Sequence, residues 1–257
     1  MNLYEAIFTR KTVKKYTNEP IGAEELEAVR EHYRELPGLF GNIRTDIVIL
    51  DAQKDREPLR GPLRVHAPYY MAFYSEELSR SRMNMGYLMQ QMVLYLCSKG
   101  YGTCYMNAAG ARRSLQTLDD RLQLIGLIAF GHPKGAYLRK RSEFRRLSME
   151  ELCVYKEVPR QWMKQLLEAA RLAPSTRNSQ PWRFAVYDNR IHIFTKKDPI
   201  ERLNHYLQEE ENFGGMLAHI VIAAEELWLD VDLIRLENLS QKTFPNNRYV
   251  LSAILKS

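Results

Sequence analysis

The chain has 257 residues, of which 45% are hydrophobic, so it can bury a core as one large domain or two small ones. Its net charge of +6 is concentrated in Arg10–Lys15 and Arg139–Arg146, which favours an anionic ligand, and these runs lack the interleaved aromatics of a nucleic-acid module. The sequence shows no signal peptide and no membrane span, and its three cysteines cannot all pair in disulfides, so we expect a cytoplasmic protein. No histidines have the spacing of metal ligands, so we expect no metal.

The first half of the chain reads as a helix, a loop, two strands, a long helix and a strand. Leu26, Val29 and Tyr33 recur at helical spacing, and their run ends at Pro37. The predicted elements are a helix over 21–38, strands over Asp46–Leu50 and 67–75, a helix over Asn84–Lys99 and a strand over Leu124–Phe130. The long helix is apolar nearly all round, so we expect it to be buried.

The second half repeats this pattern. Its helix over 158–175 matches 21–38 at an offset of 137 residues, and its long helix Asn212–Leu227 matches Asn84–Lys99 at an offset of 128. The strand Arg248–Ile254 matches Leu124–Phe130 at an offset of 124, and the runs 182–188 and 190–196 predict a hairpin that turns at Asp188-Asn189. Three matches in one order predict an internal duplication.

The duplication predicts an α+β fold with mixed or antiparallel sheets and long buried central helices, related by a pseudo-twofold axis. We place the two halves at residues 1–150 and 151–257.

One loop stands out in the second half, because "PSTRNSQPW" (Pro174–Trp182) sets short polar side chains between two prolines. Such side chains let backbone and hydroxyl groups approach a flat ligand closely. We expect Gln180, Pro181 and Trp182 to fix this loop to the sheet.

Four motifs resemble the nitroreductase superfamily of FMN-dependent enzymes. They are the opening "LYEAIFTRKTVKKYTNEPI", the glycine-containing "KGYGTCYMN", the turn "IAFGHPKG" followed by "RKR", and the loop "APSTRNSQPWRF", of which the loop is the most specific. The chain departs from the family pattern at Thr12, where the family has Ser, and at Asn107-Ala108, where it often has Glu-Gly.

The resemblance implies a role for each matching residue. Cations would bind the FMN phosphate and ribityl chain from one side, and loop residues would line the ring and ribityl chain from the other. The phosphate and ribityl residues would be Arg10, Lys11, Thr12 and Lys14, with Arg139 and Arg141 closing the phosphate site. Met106, Asn107 and Ala108 would lie near flavin N5, Arg60 or Arg64 at the pyrimidine edge, and Pro174, Ser175, Thr176 and Asn178 along the ring. Lys140, Arg145, Arg146 and Arg177 are expected at the surface.

Each half carries only part of this site. The first half has the basic segments but no Pro-Ser-Asn loop, and the second has the loop but no basic segments. The resemblance therefore implies one complete FMN site per chain, and a monomer that acts as a pseudo-dimer, or a weak homo-oligomer.

The function implied is an FMN-dependent oxidoreductase that passes reducing equivalents by ping-pong exchange from NAD(P)H to an electron-poor small molecule, such as a nitroaromatic or a quinone. No Rossmann fingerprint is present, so NAD(P)H would bind only transiently. Tyr69, Tyr70, Tyr206 and Phe213 are candidates for stacking on the substrate. A non-catalytic flavin-binding or flavin-sequestering protein is the alternative, and nucleic-acid binding is a third interpretation.

Overall fold

The computed structural model describes residues 1–54, 65–196, 203–237, 239 and 247–256, with the backbone alone for Arg141 and residues 203–208. The chain divides into two compact units, Met1–Glu143 and Phe144–Ser257. Each unit has its own sheet and helices, so the two are described separately.

The first unit is built around a four-stranded antiparallel sheet. Its described helices are α1 (Leu3–Thr9), α2 (Ala23–Glu35) and α3 (Ser81–Ser98), and its described strands are β1 (Thr45–Asp51), β2 (Tyr69–Glu76), β3 (Gly102–Asn107) and β4 (Leu122–Gly131). The strand order is β1-β2-β4-β3. Helix α1 begins at Asn2, whose side chain accepts a hydrogen bond from the Glu5 amide in a capping box.

The sheet of the first unit is covered on both faces. Helices α2 and α3 pack on one face, where Val29, Leu88 and Phe130 belong to one buried cluster. A second buried cluster, containing Tyr70 and Leu127, covers the other face. Helix α3 is buried along almost its whole length, as its continuous apolar sequence predicts.

The second unit is built around a five-stranded sheet. Its described helices are α4 (Met149–Leu152), α5 (Gln161–Arg171) and α6 (Leu203–Glu226), and its described strands are β5 (Cys153–Tyr155), β6 (Trp182–Val186), β7 (Arg190–Lys196), β8 (Asp230–Ile234) and β9 (Asn247–Lys256). The order is β5-β6-β7-β9-β8, with β5 parallel to β6 and the other pairs antiparallel. The predicted hairpin between β6 and β7 is confirmed, and the mixed sheet agrees with the predicted α+β class.

The two units share one plan. The order β1-β2-β4-β3 of the first sheet matches β6-β7-β9-β8 of the second, and each sheet has an irregularity in the pairing of its two central strands, after Phe73 and after Ile193. The same asparagine also recurs at corresponding places in the long helices. Asn84 Oδ1 accepts from the Phe40 amide at 2.9 Å, and Asn212 Oδ1 accepts from the Thr176 amide at 2.9 Å.

The units differ in the segment that precedes their first long amphipathic helix. In the first unit residues 9–17 lie beside β3, at one edge of the sheet, whereas in the second unit β5 pairs with β6, at the other edge. The division between units falls after Glu143, whereas the sequence-based boundary falls after residue 150. Residues 144–150 belong with the second unit because Arg146 and Leu147 hydrogen-bond to its loop.

Two findings concern membrane spans and metal sites among the described residues. No described helix is both long and apolar enough to cross a bilayer. No cluster of His, Cys, Asp and Glu in the described part of the chain could hold a metal ion.

Candidate functional site

The two basic segments of the first unit, distant in sequence, lie side by side. The Arg139 amide donates to the Thr9 carbonyl at 2.8 Å, and the Lys134 amide donates to the Lys15 carbonyl at 2.9 Å. These bonds join residues 9–17 to the turn that follows β4. Arg10 and Arg139 are thereby held at one end of the sheet.

The start of β3 forms the other support of the basic segment. The Val13 amide donates to the Thr103 carbonyl at 2.9 Å, and Thr12 pairs with Thr103 in a parallel bridge. Gly102 allows this close approach, because a Cβ atom at that position would lie 2.8 Å from Cβ of Val13. The glycine of the "KGYGTCYMN" motif therefore has a packing role beside the site.

Arg10 is a buried cation. Only 6% of the residue is exposed, and no carboxylate among the described residues forms an ion pair with it. Burial lowers the pKa of its guanidinium, and this is the largest effect. The nearby Tyr105, Cys97 and Cys104 act in the opposite direction and raise that pKa. A buried positive charge without a counter-ion is costly, and a bound anion would offset that cost.

Further cations surround Arg10. Burial, together with the positive charge of Arg10, lowers the pKa of Arg139 to about 10. Burial raises the pKa of the Cys104 thiol, and the positive charges of Lys14 and Arg10 both lower it. Lys14, which is exposed, and Arg10 therefore both lie within electrostatic reach of that thiol. Lys11 is partly exposed and Thr12 exposed. The structure thus brings together Arg10, Lys14 and Arg139, as a phosphate site requires.

The segment assigned to flavin N5 lies at the far end of β3. Met106 and Asn107 end the strand, and Ala108–Gly110 form a short 3₁₀ turn. Asn107 Oδ1 accepts a hydrogen bond from the Ala109 amide at 2.7 Å. The Asn107 side chain therefore shapes the turn, and the same β-strand connects this turn to the basic cluster.

The Pro-Ser-Asn loop of the second unit has an unusual backbone. Arg177, Asn178 and Gln180 all have positive φ, at 53°, 58° and 47°. Left-handed conformations are unfavourable for residues other than glycine and cost of order 1 kcal/mol or more each. Such a conformation persists only where surrounding contacts impose it.

Those contacts come from residues 145–147. Arg146 donates through Nη1 to Asn178 Oδ1 at 2.7 Å and through Nη2 to the Leu172 carbonyl at 3.1 Å. Asn178 Nδ2 donates to the Arg145 carbonyl at 2.9 Å, so both ends of its side chain are bound. Arg146 therefore holds the loop at two points. The expectation that Arg146 is a surface cation is wrong, because a basic run carries no signal of a folded-back contact.

Gln180 and Ser175 complete the network inside the loop. Gln180 Oε1 accepts from the Leu147 amide at 2.8 Å, and the Gln180 amide donates to Ser175 Oγ at 3.0 Å. Gln180 is buried, and so is Trp182, as expected for residues that fix the loop to the sheet. Ser175 and Thr176 thereby take fixed positions, and Pro174 precedes them at the end of α5.

Some sequence-based expectations lie outside the described residues. These are the roles of Arg60 and Arg64, and those of the Arg141 and Tyr206 side chains. The proposal that Tyr69, Tyr70 and Phe213 stack on a substrate is wrong, because all three are buried and offer no open face. Alternating strand residues and apolar helix residues are more often part of a core than of a pocket.

The sequence matches the family described as "Putative TM nitroreductase" over residues 2–224. The chain belongs to this nitroreductase family. No curated protein matches the sequence.

Solved structures that match this chain include three that are described as nitroreductases. A "putative nitroreductase" from Thermotoga maritima MSB8 has a TM-score of 0.66 over 99% of this chain and 93% of its own, at 19% identity. A nitroreductase family protein from Clostridium difficile 630 has a TM-score of 0.49, at 16% identity, over 62% of this chain and 100% of its own. An FMN-dependent nitroreductase from Clostridium difficile R20291 has a TM-score of 0.48, at 13% identity, over 60% of this chain and 98% of its own. At 19% identity the Thermotoga structure shows a common nitroreductase fold.

Proposed function

We propose that this protein is an FMN-dependent oxidoreductase of the nitroreductase type, which takes reducing equivalents from NAD(P)H and passes them to an electron-poor small molecule by ping-pong exchange. The observation that carries the proposal is the buried Arg10 guanidinium, which has no carboxylate partner in the described residues and lies beside Arg139 and Lys14. FMN has the phosphate dianion that such a cluster favours.

The residues of the first unit fit this cofactor. Arg10, Lys14 and Arg139 would bind the phosphate, with Lys11 and Thr12 beside it. The backbone amide of Ala108 would donate to N5, because Asn107 already engages the amide of Ala109. When bound, FMN supplies hydride transfer, and the protein binds it, orients it and leaves one ring face accessible.

We assign the loop of the second unit to the same cofactor. Pro174, Ser175, Thr176 and Asn178 match the family loop that lines the flavin. This assignment rests on the resemblance and on the proposal that the chain is an internal duplication. The shared strand order, the recurring Asn84 and Asn212 contacts and the matching irregularities in the sheets support the duplication.

The test is the visible spectrum of the purified protein, followed by anaerobic titration with NADH and with NADPH. The proposal predicts flavin absorption bands that are bleached by at least one donor and restored by a nitroaromatic or a quinone. Protein that neither contains FMN nor binds it when added would contradict the proposal. Bound FMN that neither donor bleaches would favour the alternative, a flavin-sequestering protein. Salt-sensitive binding of RNA or DNA that FMN does not displace would favour the nucleic-acid interpretation.

A further inference from the structure

Trp228 lies in the turn after α6, and 95% of the residue is exposed to solvent. Its φ of 56° is in the left-handed region, which is unfavourable for a bulky side chain. Two hydrogen bonds fix the turn, from the Trp228 amide to the Glu225 carbonyl at 3.1 Å and from the Leu229 amide to the Ala224 carbonyl at 2.9 Å. This pattern is a Schellman motif, in which glycine is the preferred left-handed residue.

The corresponding turn of the first unit contains that glycine. After α3, the Gly100 amide donates to the Cys97 carbonyl at 3.0 Å and the Tyr101 amide donates to the Leu96 carbonyl at 2.9 Å, with a φ of 91° at Gly100. Ending the helix therefore requires only a left-handed residue. The indole of Trp228 adds an exposed aromatic surface and backbone strain, and neither stabilises the isolated chain. Both are accounted for if the ring binds a partner.

A groove suited to an indole begins at the residue after Trp228. It has a volume of about 370 Å³, and its lining includes Leu229, Trp162, Arg160 and Lys256. Leu229 and Trp162 give it an apolar wall, and Arg160, which a salt bridge to Asp188 holds in the lining, can stack its guanidinium on the face of an indole. The exposure of Trp228 shows that the ring does not fill the groove of its own chain.

We propose that Trp228 of each copy inserts into this groove of a second copy, forming a twofold-symmetric dimer. A projecting ring and a matching groove on one surface are self-complementary, as a twofold interface requires. Arg160 and Lys256 of the groove already pair with Asp188 and Asp232 of their own chain, so the association rests on burial of the two indoles. Each indole would bury about 150–250 Å². Two of them fall short of the roughly 1,200 Å² of a stable interface, so the dimer is weak.

Sedimentation velocity over a wide range of protein concentration tests this interface. The wild-type chain should convert from monomer to dimer as concentration rises, and Trp228→Gly should raise the dissociation constant by about thirty-fold or more. Trp228→Phe should retain part of the association. Val158→Ser removes another apolar side chain, 89% exposed and outside the groove, and should behave as the wild type. A wild-type chain that stays monomeric, grows beyond dimers, or dimerises equally well as Trp228→Gly would overturn the proposal.

A second variant tests the groove with Trp228 intact. Asn189 is exposed and lines the groove, so Asn189→Arg should obstruct it and leave the chain monomeric. Dimers that persist in Asn189→Arg would contradict the assignment of the groove. Folding is checked by Tm at concentrations where every variant is a monomer. There Trp228→Gly should melt about 2–4 °C above the wild type, because it relieves the left-handed strain. This test needs no flavin, so it stands apart from the proposed enzymatic function.

Discussion

At the scale of single residues, Arg10 shows why a basic run is ambiguous in sequence. Arg10 is buried, whereas Lys14, four positions later, is exposed. The difference arises because Arg10 directly follows the last residue of α1, Thr9, and packs against the first unit, while the following residues run along the edge of its sheet. A buried cation without a carboxylate partner indicates an anion site in a way that an exposed lysine does not.

The first prediction concerns Arg10→Met. Removal of a buried, unpaired charge should raise the free energy of unfolding of the FMN-free protein by about 1 kcal/mol or more. The same change should weaken FMN binding by about 10- to 100-fold, because a charge-assisted hydrogen bond to phosphate is lost. Urea unfolding and quenching of flavin fluorescence measure the two effects. Arg34→Ala, which removes an exposed arginine paired with Glu27, is the control. Lower stability together with unchanged FMN affinity would contradict the assignment.

The second prediction concerns Arg146 and Asn178, which we expect to act as one unit. Arg146→Ala and Asn178→Ala should each weaken FMN binding about tenfold, and the double variant should be no worse than the poorer single variant. The reason is that Arg146 positions the loop through the Asn178 side chain. Arg145→Ala is a matched control, because only the carbonyl of Arg145 contacts the loop.

Proteolysis of the FMN-free protein provides an independent readout of the same pair. Each of the two variants should be cleaved faster within residues 174–181 than the wild type, since the left-handed loop loses the contacts that impose it. Effects on FMN affinity that simply add would show that Asn178 contacts the flavin independently of Arg146.

At the scale of elements, strand β3 connects the two parts of the candidate site in the first unit. Its first residue, Gly102, packs against Val13 of the basic segment, and its last residue, Asn107, shapes the turn assigned to N5. A six-residue strand spans roughly 20 Å. The strand therefore sets the separation between the cations proposed to bind phosphate and the turn assigned to N5.

The third prediction is that Gly102→Ala disturbs this arrangement. The new Cβ would lie 2.8 Å from Val13, so the basic segment must move away from the strand. We expect a loss of about 1–3 kcal/mol in the free energy of unfolding and weaker FMN binding. Gly41→Ala is the control, because a Cβ atom at that position would have no neighbouring heavy atom within 4 Å. Denaturant melts and FMN titrations of both variants measure the difference. Equal free energies of unfolding and equal FMN affinities for the two variants would mean that the contact between Gly102 and Val13 does not position the basic segment.

At the scale of the whole molecule, the two units share an architecture but differ in their chemical groups. The basic cluster belongs to the first unit and the Pro-Ser-Asn loop to the second. If the two are the complementary parts of one flavin site, each chain binds FMN once. If each unit bound a flavin by itself, both units would need their own phosphate cations.

The fourth prediction is therefore a stoichiometry of about one FMN per chain. It is measured by releasing the flavin with denaturant and comparing its absorbance with the protein concentration from amino-acid analysis. The Arg10→Ala, Lys14→Ala double variant should bring the ratio close to zero, because it removes two of the three cations proposed to bind the phosphate. A ratio near two in the wild type would contradict a single site.

The sequence by itself predicted the long helices and six of the described strands, since 3.6-residue and alternating patterns depend only on which side chains must leave water. It did not predict β3, β5 or β8, which lie at the edges of their sheets and bury fewer side chains. It predicted the loop Pro174–Trp182 from its turn chemistry. The internal duplication stays a prediction, which the shared strand order supports. Gln180 and Trp182 fix that loop as expected, since both are buried and Gln180 hydrogen-bonds to Leu147 and Ser175.

Tertiary structure decided what these patterns do not contain. The burial of Arg10 and the hydrogen bond from Arg146 to Asn178 depend on contacts between residues far apart in the chain. The exposure of Trp228 likewise follows from where the folded chain places the end of α6. The same basic side chain is a solvated surface charge, a loop support or an anion ligand according to what packs beside it. Local sequence specifies backbone conformation and polarity, but the environment of a charge is set only when the chain has folded.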